Sequence, residues 1–189
     1  PDSLIKTFRT SSGWPVKDGG GIIPDISVPS DMLNRFTSEL YVQNMVFDFA
    51  TSYYWSHPQP STLDSLIVTD EELEQFKTFL SERKFTYKTD SETLLDELVS
   101  VAGEEGLYEE NRAAMDELRS GLSHTLDREM TQNRGDVKEI LESELAGRYF
   151  YDWGMVKYSV SRDTQIREAI SIAGDKARYA SLLRAPAVN

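Results

Sequence analysis

From residue 30 onward, apolar side chains recur every three or four positions, which is the spacing of amphipathic helices. Proline and glycine interrupt this repeat and divide it into segments. The pattern predicts a mainly α fold, a helical bundle of about six helices. The predicted helices cover residues 32–55 (as one helix or two), 70–84, 91–103, 107–132, 136–160 and 163–173, with a last turn or two up to residue 183.

Polar residues with capping chemistry mark several helix ends. Ser30 is a good N-cap for the first helix. Thr69 and Glu72 form a capping box, in which each side chain accepts a hydrogen bond from the other residue's backbone. Residues 133–135 divide the two long helices, and Asp136 is suited to cap the second. Because this turn is short, we expect the two long helices to pack antiparallel.

The same spacing predicts which side chains face inward. They are Met32, Leu33, Phe36, Leu40, Val42, Met45, Val46, Phe49 and Tyr53; Leu73, Phe76 and Leu80, with Phe79 at the margin; Leu94, Leu95, Leu98 and Val99; Met115, Leu118, Leu122, Leu126 and Met130; Ile140, Leu141, Leu145, Tyr149, Trp153 and Val156; and Ile166, Ile170 and Ile172.

The N-terminal residues differ from the rest. Residues 4–10 and 14–17 read as two short strands joined by a Ser-Ser-Gly turn, a β-hairpin-like segment. An isolated two-stranded ribbon is marginal in water, so this one should pack on the helices or on a sheet outside this chain. The chain is therefore predicted to divide into residues 1–29 and a helical domain of residues 30–189, with a linker near 57–68.

Charge excludes two classes of partner. The 189 residues carry a net charge of -12 and a pI of about 4.6, which disfavours nucleic acid and anionic membrane surfaces. The acidic residues are concentrated in residues 61–118, which contain 16 Asp and Glu and only 5 Lys and Arg. A solvated helical surface is the expected explanation, and a cationic partner is the alternative. The sequence contains no run of about 18 apolar residues, so no membrane-spanning helix is predicted.

Two arrangements could carry chemistry. Ser81 and Lys84 match Ser-x-x-Lys, a spacing that on a helix places an amine one turn from a hydroxyl it could deprotonate. The companion motifs of penicillin-binding enzymes are absent, so a solvated helix end is expected instead. Residues 19–21 are all glycine, but Ile22 and Pro24 predict extended chain after them, not the helix that a phosphate-binding loop needs.

The chain has two histidines, His57 and His124, and no cysteine. Neither histidine has another one three or four residues away, so no histidine-based metal site or Ser/His/Asp triad is expected. His57 is predicted to offset the dipole at a helix end, and His124 to lie on the polar side of a long helix. Adjacent acids such as Glu109-Glu110 and Asp116-Glu117 diverge around a helix. The sequence thus assigns no catalytic, cofactor-binding or metal-binding residue.

Two aromatic clusters stand out. Tyr149, Phe150, Tyr151 and Trp153 are expected to anchor helix packing in the core, with a peptide-binding surface as the alternative. Tyr53, Tyr54 and Trp55 cannot all face inward from one helix, so an exposed apolar patch is expected there. Such a patch would form an interface with another domain or with a second copy of the chain.

Two sets of residues carry a family resemblance. The first is Phe8-x-Thr10-x-x-Gly13 followed by Gly20-Gly21-Ile22-x-Pro24-Asp25-Ile26. It resembles a pattern at the end of the protease domain in the C-terminal processing (tail-specific) serine peptidases, although Trp14 stands where that family usually has a basic residue. The second is Gly147-Arg148-Tyr149-Phe150-Tyr151-x-x-Gly154 with Asp163-x-x-x-Arg167-Glu168-Ala169-Ile170. It is similar to the ends of the larger bacterial members of the same family.

The resemblance implies a parent enzyme with a Ser-Lys dyad that cleaves near the C-termini of polypeptide substrates in the bacterial periplasm or cell envelope. Residues 1–29 would then be the last strands of its catalytic domain, and the remainder a helical domain that supports stability, substrate gating or oligomerisation. The family's serine and lysine motifs would precede Pro1, so this chain is expected to be inactive. Its implied partners are the catalytic domain of the same polypeptide, the parent's substrates and a second copy.

Two alternatives remain open. The chain could be an independent, acidic and non-enzymatic helical interaction module. It could also be a small enzyme that uses Ser81 and Lys84 or a carboxylate cluster, in which case the chain alone should show hydrolytic turnover.

Overall fold

The computed structural model describes residues 5–11, 13–19, 24–29 and 33–184. Within these ranges the protein is mainly helical, with nine α-helices and one two-stranded antiparallel sheet, as the hydrophobic pattern predicts. Several predicted helices are divided, which raises the number above six. The elements are β1 (Thr7–Arg9), β2 (Pro15–Lys17), α1 (Arg35–Val42), α2 (Met45–Ser56), a 3-10 helix (Leu63–Ser65), α3 (Asp70–Glu82), α4 (Asp90–Glu104), α5 (Tyr108–Leu122), α6 (Leu126–Gln132), α7 (Arg134–Arg162), α8 (Thr164–Gly174) and α9 (Lys176–Leu182).

The chain divides into two compact units. One comprises Pro1–Asp31 together with Val160–Asn189, and the other comprises Met32–Ser159. The first unit contains the predicted hairpin, in which Phe8 lies opposite Val16. It also contains α8 and α9, which the side chains of Asp163 and Asp175 cap at their N-termini. Neither helix, each described in full, buries a residue completely; on α8, Ile166 and Ile172 are half-buried and Ile170 is exposed.

The second unit holds the hydrophobic core. Large apolar side chains from α1, α2, α3 and α7 meet there, and the rings of Phe49 and Phe76 lie edge to face at 4.9 Å. The buried members are Phe36, Leu40, Val46, Phe49, Ala50, Leu63, Leu66, Val68, Leu73, Phe76, Leu80, Met130, Val137, Ile140, Leu141, Leu145, Ala146, Tyr149 and Tyr158.

The first helical stretch is two helices. Ser30, its predicted cap, lies outside the described residues, and α1 begins at Arg35 with the Asn34 side chain accepting from the amide of Thr37. The Asn34 amide nitrogen also donates to Asp136, which ties this end to the start of α7. At Asn44 the backbone is left-handed (φ 59°), which separates α1 from α2 and leaves Val42 exposed instead of buried.

The segment predicted as a linker packs into the core unit. Leu63, Leu66 and Val68 are buried. The amide of Val68 donates to the buried carboxylate of Glu142 (2.9 Å), and the side-chain amide of Gln59 donates to a carbonyl of α7 (3.0 Å). Residues 57–68 therefore follow the surface of α7 closely.

The helices α4, α5 and α6 depart most from the pattern. On α4, Leu95 is buried, but Leu94 and Leu98 are exposed. The predicted long helix 107–132 is divided at residues 123–125, where the Thr125 hydroxyl caps α6, and Leu118 is exposed. The expected antiparallel pairing of two long helices is wrong, because α5 packs on α4.

The helix α7 reverses direction at Tyr151, whose backbone (φ 59°, ψ -163°) is not helical. The Tyr158 hydroxyl donates to Glu142 at 2.7 Å across 16 residues, which a straight helix would hold about 24 Å apart. The two arms of α7 therefore lie side by side. Trp153 and Val156, predicted to face inward, are exposed because Gly154 and Tyr158 face the first arm instead.

Candidate functional site

Aromatic side chains, three of them exposed, lie at the end of α2 and at the reversal of α7, and Tyr149 connects the two places. We call this surface the aromatic end and define it by Tyr54, Trp55, Tyr149, Tyr151 and Trp153. Tyr149 is buried and joins the two elements, because its hydroxyl donates to the carbonyl of His57 at 3.2 Å and its ring lies 5.0 Å from that of Tyr54. The prediction that residues 149–153 anchor packing in the core is right for Tyr149 and for the half-buried Phe150, which packs against the core, and wrong for Tyr151 and Trp153.

The exposed members present large apolar areas. Trp55 is 80% exposed, Tyr151 79% and Trp153 64%. The Trp55 ring lies against Tyr54 at 5.3 Å, and the Lys157 ammonium lies 5.0 Å from the Trp153 ring centre. The expectation that Tyr53, Tyr54 and Trp55 do not all face inward is confirmed for Trp55, while Tyr53 and Tyr54 are half-buried against the core.

Arg148, Tyr149 and Gly154 of the motif 147–154 hold this end together. The Arg148 guanidinium donates to the carbonyl of Phe47 and to the hydroxyl of Thr51, both at 2.7 Å, and so fastens α7 to α2. Gly154 allows the two arms of α7 to approach closely, whereas a Cβ at Gly147 would make an ordinary contact with Met155, 3.8 Å from its sulfur. A Cβ at Gly154 would lie 2.3 Å from the Cβ of Phe150 and 2.7 Å from the carbonyl oxygen of residue 146.

A polar cluster joins the C-terminal end of α2 to the N-terminal end of α3. The Tyr53 hydroxyl hydrogen-bonds the carboxylate of Glu72, and burial together with this bond raises the pKa of Tyr53 well above its usual value. Burial alone would raise the pKa of Glu72, but hydrogen bonds from Thr69 and Tyr53 hold it below its usual value. His57 stacks on Tyr53 with ring centres 3.7 Å apart, at the end of α2 as predicted.

A second candidate is a small cavity of about 90 Å³ beside His124. Its lining consists of Phe36, Phe85, Thr86, Tyr87, His124, Leu126 and Glu129. The His124 side chain is only 16% exposed, with Nδ1 3.3 Å from Glu92 Oε2 and its ring 4.5 Å from Tyr87. The prediction that it lies on the polar side of a long helix is wrong, because the break at 123–125 turns it inward.

This cavity is small, and both polar and apolar side chains line it. Burial, together with a hydrogen bond and the charge of Glu129, raises the pKa of Tyr87, so its phenol stays neutral. The His124 Nδ1 is buried and, among the described residues, has no partner in hydrogen-bond geometry. The residues around His124 connect the α4–α5 pair to the core. The cavity itself accommodates little more than a few water molecules.

The Ser-x-x-Lys match has no catalytic geometry. The Ser81 hydroxyl donates to the carbonyl of Lys77 at 3.0 Å. The helix α3 ends at Glu82, and Lys84 adopts a left-handed backbone (φ 54°) just beyond that end, a position that closes helices. Lys84 is therefore not one helical turn from Ser81 on a continuous helix.

The other candidates stay dispersed. Glu109, Glu110, Asp116 and Glu117 are exposed along α5, and Gly20 and Gly21 lie outside the described residues. Across the described ranges, His, Asp and Glu side chains nowhere form a group of three that could hold a metal ion. Nor is any helix of that part of the chain both long and apolar enough to cross a bilayer.

With this geometry in hand, the class of domain can be stated. The family described as "Probable PDZ-protease, C-terminal helical domain" matches residues 36–173. The match covers more than half of the chain, which therefore belongs to this family of protease-associated helical domains. It includes the motif 147–154, whereas the glycine-containing pattern of residues 8–26 lies outside it and stays a prediction. No curated protein and no solved structure matches the chain.

The sequence contained a signal for the aromatic end that periodicity could not use. Gly154 interrupts what reads as a continuous helix, and glycine inside an element often marks a close approach of another backbone segment. The His124 cavity had a weaker signal in Thr125, a good N-cap inside an otherwise continuous stripe.

Proposed function

We propose that this chain is the non-catalytic helical domain of a serine peptidase of the C-terminal processing class, which acts on polypeptides in the bacterial cell envelope. The catalytic serine and lysine belong to the protease part of the parent polypeptide. Family membership and the motif 147–154 support the parentage. The geometry of Ser81 and Lys84, which form no dyad, supports the non-catalytic role.

Within that parent, the aromatic end docks this domain on the protease part. The observation that carries this proposal is the exposure of Trp55 near the end of α2 and of Tyr151 and Trp153 at the strained turn of α7. Tryptophan and tyrosine dominate the binding energy of protein interfaces because they bury large areas at little cost in conformational entropy. A bulky residue in a backbone region almost restricted to glycine costs about 1–3 kcal/mol, and such strain concentrates at functional sites.

An independent interaction module is the second candidate. It is favoured by the core of residues 32–159, a unit with a hydrophobic core of its own to which α1, α2, α3 and α7 contribute. The two candidates differ in what the aromatic end contacts, so an experiment on the parent polypeptide distinguishes them.

The test uses a polypeptide that joins the protease part to this chain, with Trp55→Ala and Trp153→Ala alone and together. We expect the double variant to lower kcat/KM for peptide cleavage by about tenfold and to expose the junction between the parts to added protease. Ile67→Ala is the control, since Ile67 is 59% exposed outside the aromatic end.

Trp55→Ala should also change the mass measured by light scattering if the aromatic end joins two copies instead. Unchanged cleavage, junction protection and mass in the double variant would reject docking through this surface and leave the independent module as the better account.

A further inference from the structure

The helices α4 and α5 form a pair that stands apart from the hydrophobic core. No residue of α5, which is described in full, is buried. Leu95 and Ala102 of α4 are buried, yet neither belongs to the core cluster of the unit. With α5 as its main packing partner, α4 uses the face of Leu95 and Ala102 for this contact and leaves a second apolar face uncovered.

That second face is a continuous apolar stripe. Leu94, Leu98 and Val101 follow one another at helical spacings of four and three and so lie on one side of α4. They are 64%, 51% and 49% exposed. We call these three residues the α4 stripe.

Carboxylates border the stripe. Asp90, Glu97 and Glu104 lie three or four residues from its members and are therefore their neighbours on the helix surface. All three are exposed, and none forms an ion pair with any residue that the structure describes.

The cations of this pair of helices are engaged elsewhere. Lys88 and Arg119 both bind Asp96, at 2.5 and 2.7 Å, and their hydrogen bonds lower the pKa of Asp96. Arg112 pairs with Asp116 within α5 at 3.7 Å. The border of the α4 stripe is consequently left with a negative potential that no neighbouring cation neutralises.

We propose that the α4 stripe binds a cationic amphipathic helix of a partner polypeptide. Such a helix lays its apolar face on Leu94, Leu98 and Val101 and places Lys or Arg side chains beside Asp90, Glu97 and Glu104. A second copy of this chain docked through the same stripe would oppose like charges, and an anionic lipid surface would be repelled. This site is separate from the aromatic end and does not depend on the proposed protease docking.

The test measures binding of two labelled synthetic helical peptides to the whole chain by fluorescence anisotropy. The peptides share one leucine stripe and differ in carrying lysine or glutamate beside it. We expect the lysine peptide to bind and the glutamate peptide not to bind. Leu94→Ser with Leu98→Ser should weaken binding by at least about tenfold, whereas Val42→Ser with Ile67→Ser, exposed apolar sites elsewhere, should leave it within about twofold.

A matched pair of charge variants separates recognition from general attraction. Glu97→Lys with Glu104→Lys should weaken binding at least about tenfold more than Glu109→Lys with Glu110→Lys, which changes the net charge equally on α5. Thermal unfolding verifies that each variant is folded. Equal losses from the two charge pairs, or no loss from the serine variant of the stripe, would overturn the proposal.

Discussion

Gly154 sits where the two arms of α7 touch, and no other residue fits there without movement. Its missing Cβ would lie against Cβ of Phe150 and a backbone oxygen, both parts of a rigid helix that cannot swing aside. Glycine at this position is therefore a requirement of packing, whereas in an exposed helix glycine is only a conformational cost.

Gly154→Ala should lower the free energy of unfolding by about 2 kcal/mol or more, since overpacking of a rigid contact forces backbone shifts. Chemical denaturation measures this effect. Gly121→Ala is the control: a Cβ there meets no described atom within 4 Å, and the substitution should be neutral or stabilise α5 by up to about 1 kcal/mol. A Gly154→Ala protein as stable as the control would contradict the close contact of the arms.

Tyr151 shows the opposite mismatch, because a bulky residue occupies a backbone region suited to glycine. Tyr151→Gly should be more stable than Tyr151→Ala by about 1 kcal/mol, since only glycine relieves the strain while both remove the exposed ring. At Tyr179, within the regular helix α9, the order should be reversed, with alanine the more stable by about 1 kcal/mol. Thermal melts of the four variants test this, and the same order at both sites would argue against strain at 151.

At the scale of the elements, capping residues determine where several helices begin. In α3 and α4, Thr69 with Glu72 and Thr89 with Glu92 form complete capping boxes. The first was predicted from sequence, because its chemistry is local and needs no knowledge of the fold. The division of α5 from α6 and the reversal of α7 were missed, because apolar residues recur every three or four positions in the sequence across both breaks and so give no sign of them.

Glu92 gives a pH-dependent prediction. The backbone N–H of Thr89 donates to its carboxylate at 2.8 Å and lowers its pKa below the ordinary 4.5, with further help from the Thr89 hydroxyl and His124. Because the pKa of Glu92 is lower in the folded protein than in the unfolded chain, its ionised carboxylate stabilises the fold above pH 4.5. This contribution is lost as the pH falls through the lowered pKa.

Glu92→Ala should therefore destabilise the protein by about 1 kcal/mol at pH 7, and the difference from the unaltered protein should shrink as the pH falls below 4.5. Urea denaturation across this range is the measurement. Glu117→Ala, on the exposed surface of α5, serves as the control and should give a small difference at every pH. A Glu92→Ala effect that does not vary with pH would assign the stabilisation to packing instead of charge.

Across the whole molecule, burial is uneven. The core belongs to α1, α2, α3 and α7, while α4 and α5 rely on each other. Helices with few buried contacts open at lower free energy than the core that supports them. The exposed stripe of α4 and the aromatic end both lie on the core unit, but only the aromatic end is built directly on core residues, through Tyr149.

Amide hydrogen exchange should reflect this difference. Peptides from α5 and the exposed turns of α4 should exchange at least about tenfold faster than those from α2, α3 and the first arm of α7. Mass spectrometry after timed labelling measures the exchange rate of each peptide. The first turn of α3, which is exposed but belongs to a helix of the core, is the internal reference. Equal protection in α5 and α2 would mean that α4 and α5 belong to the same cooperative unit as the core.

The sequence by itself determined the helical class, the hairpin, the cap of α3, and the inward faces of α3 and of the first arm of α7. These features depend on local backbone chemistry and on the choice of apolar residues every three or four positions. Only the tertiary structure decided that α7 folds back, that Leu94, Leu98 and Trp153 stay exposed, and that His124 turns inward. Each of these depends on which neighbour covers a face, and a periodic pattern states that a face is apolar without stating what packs on it.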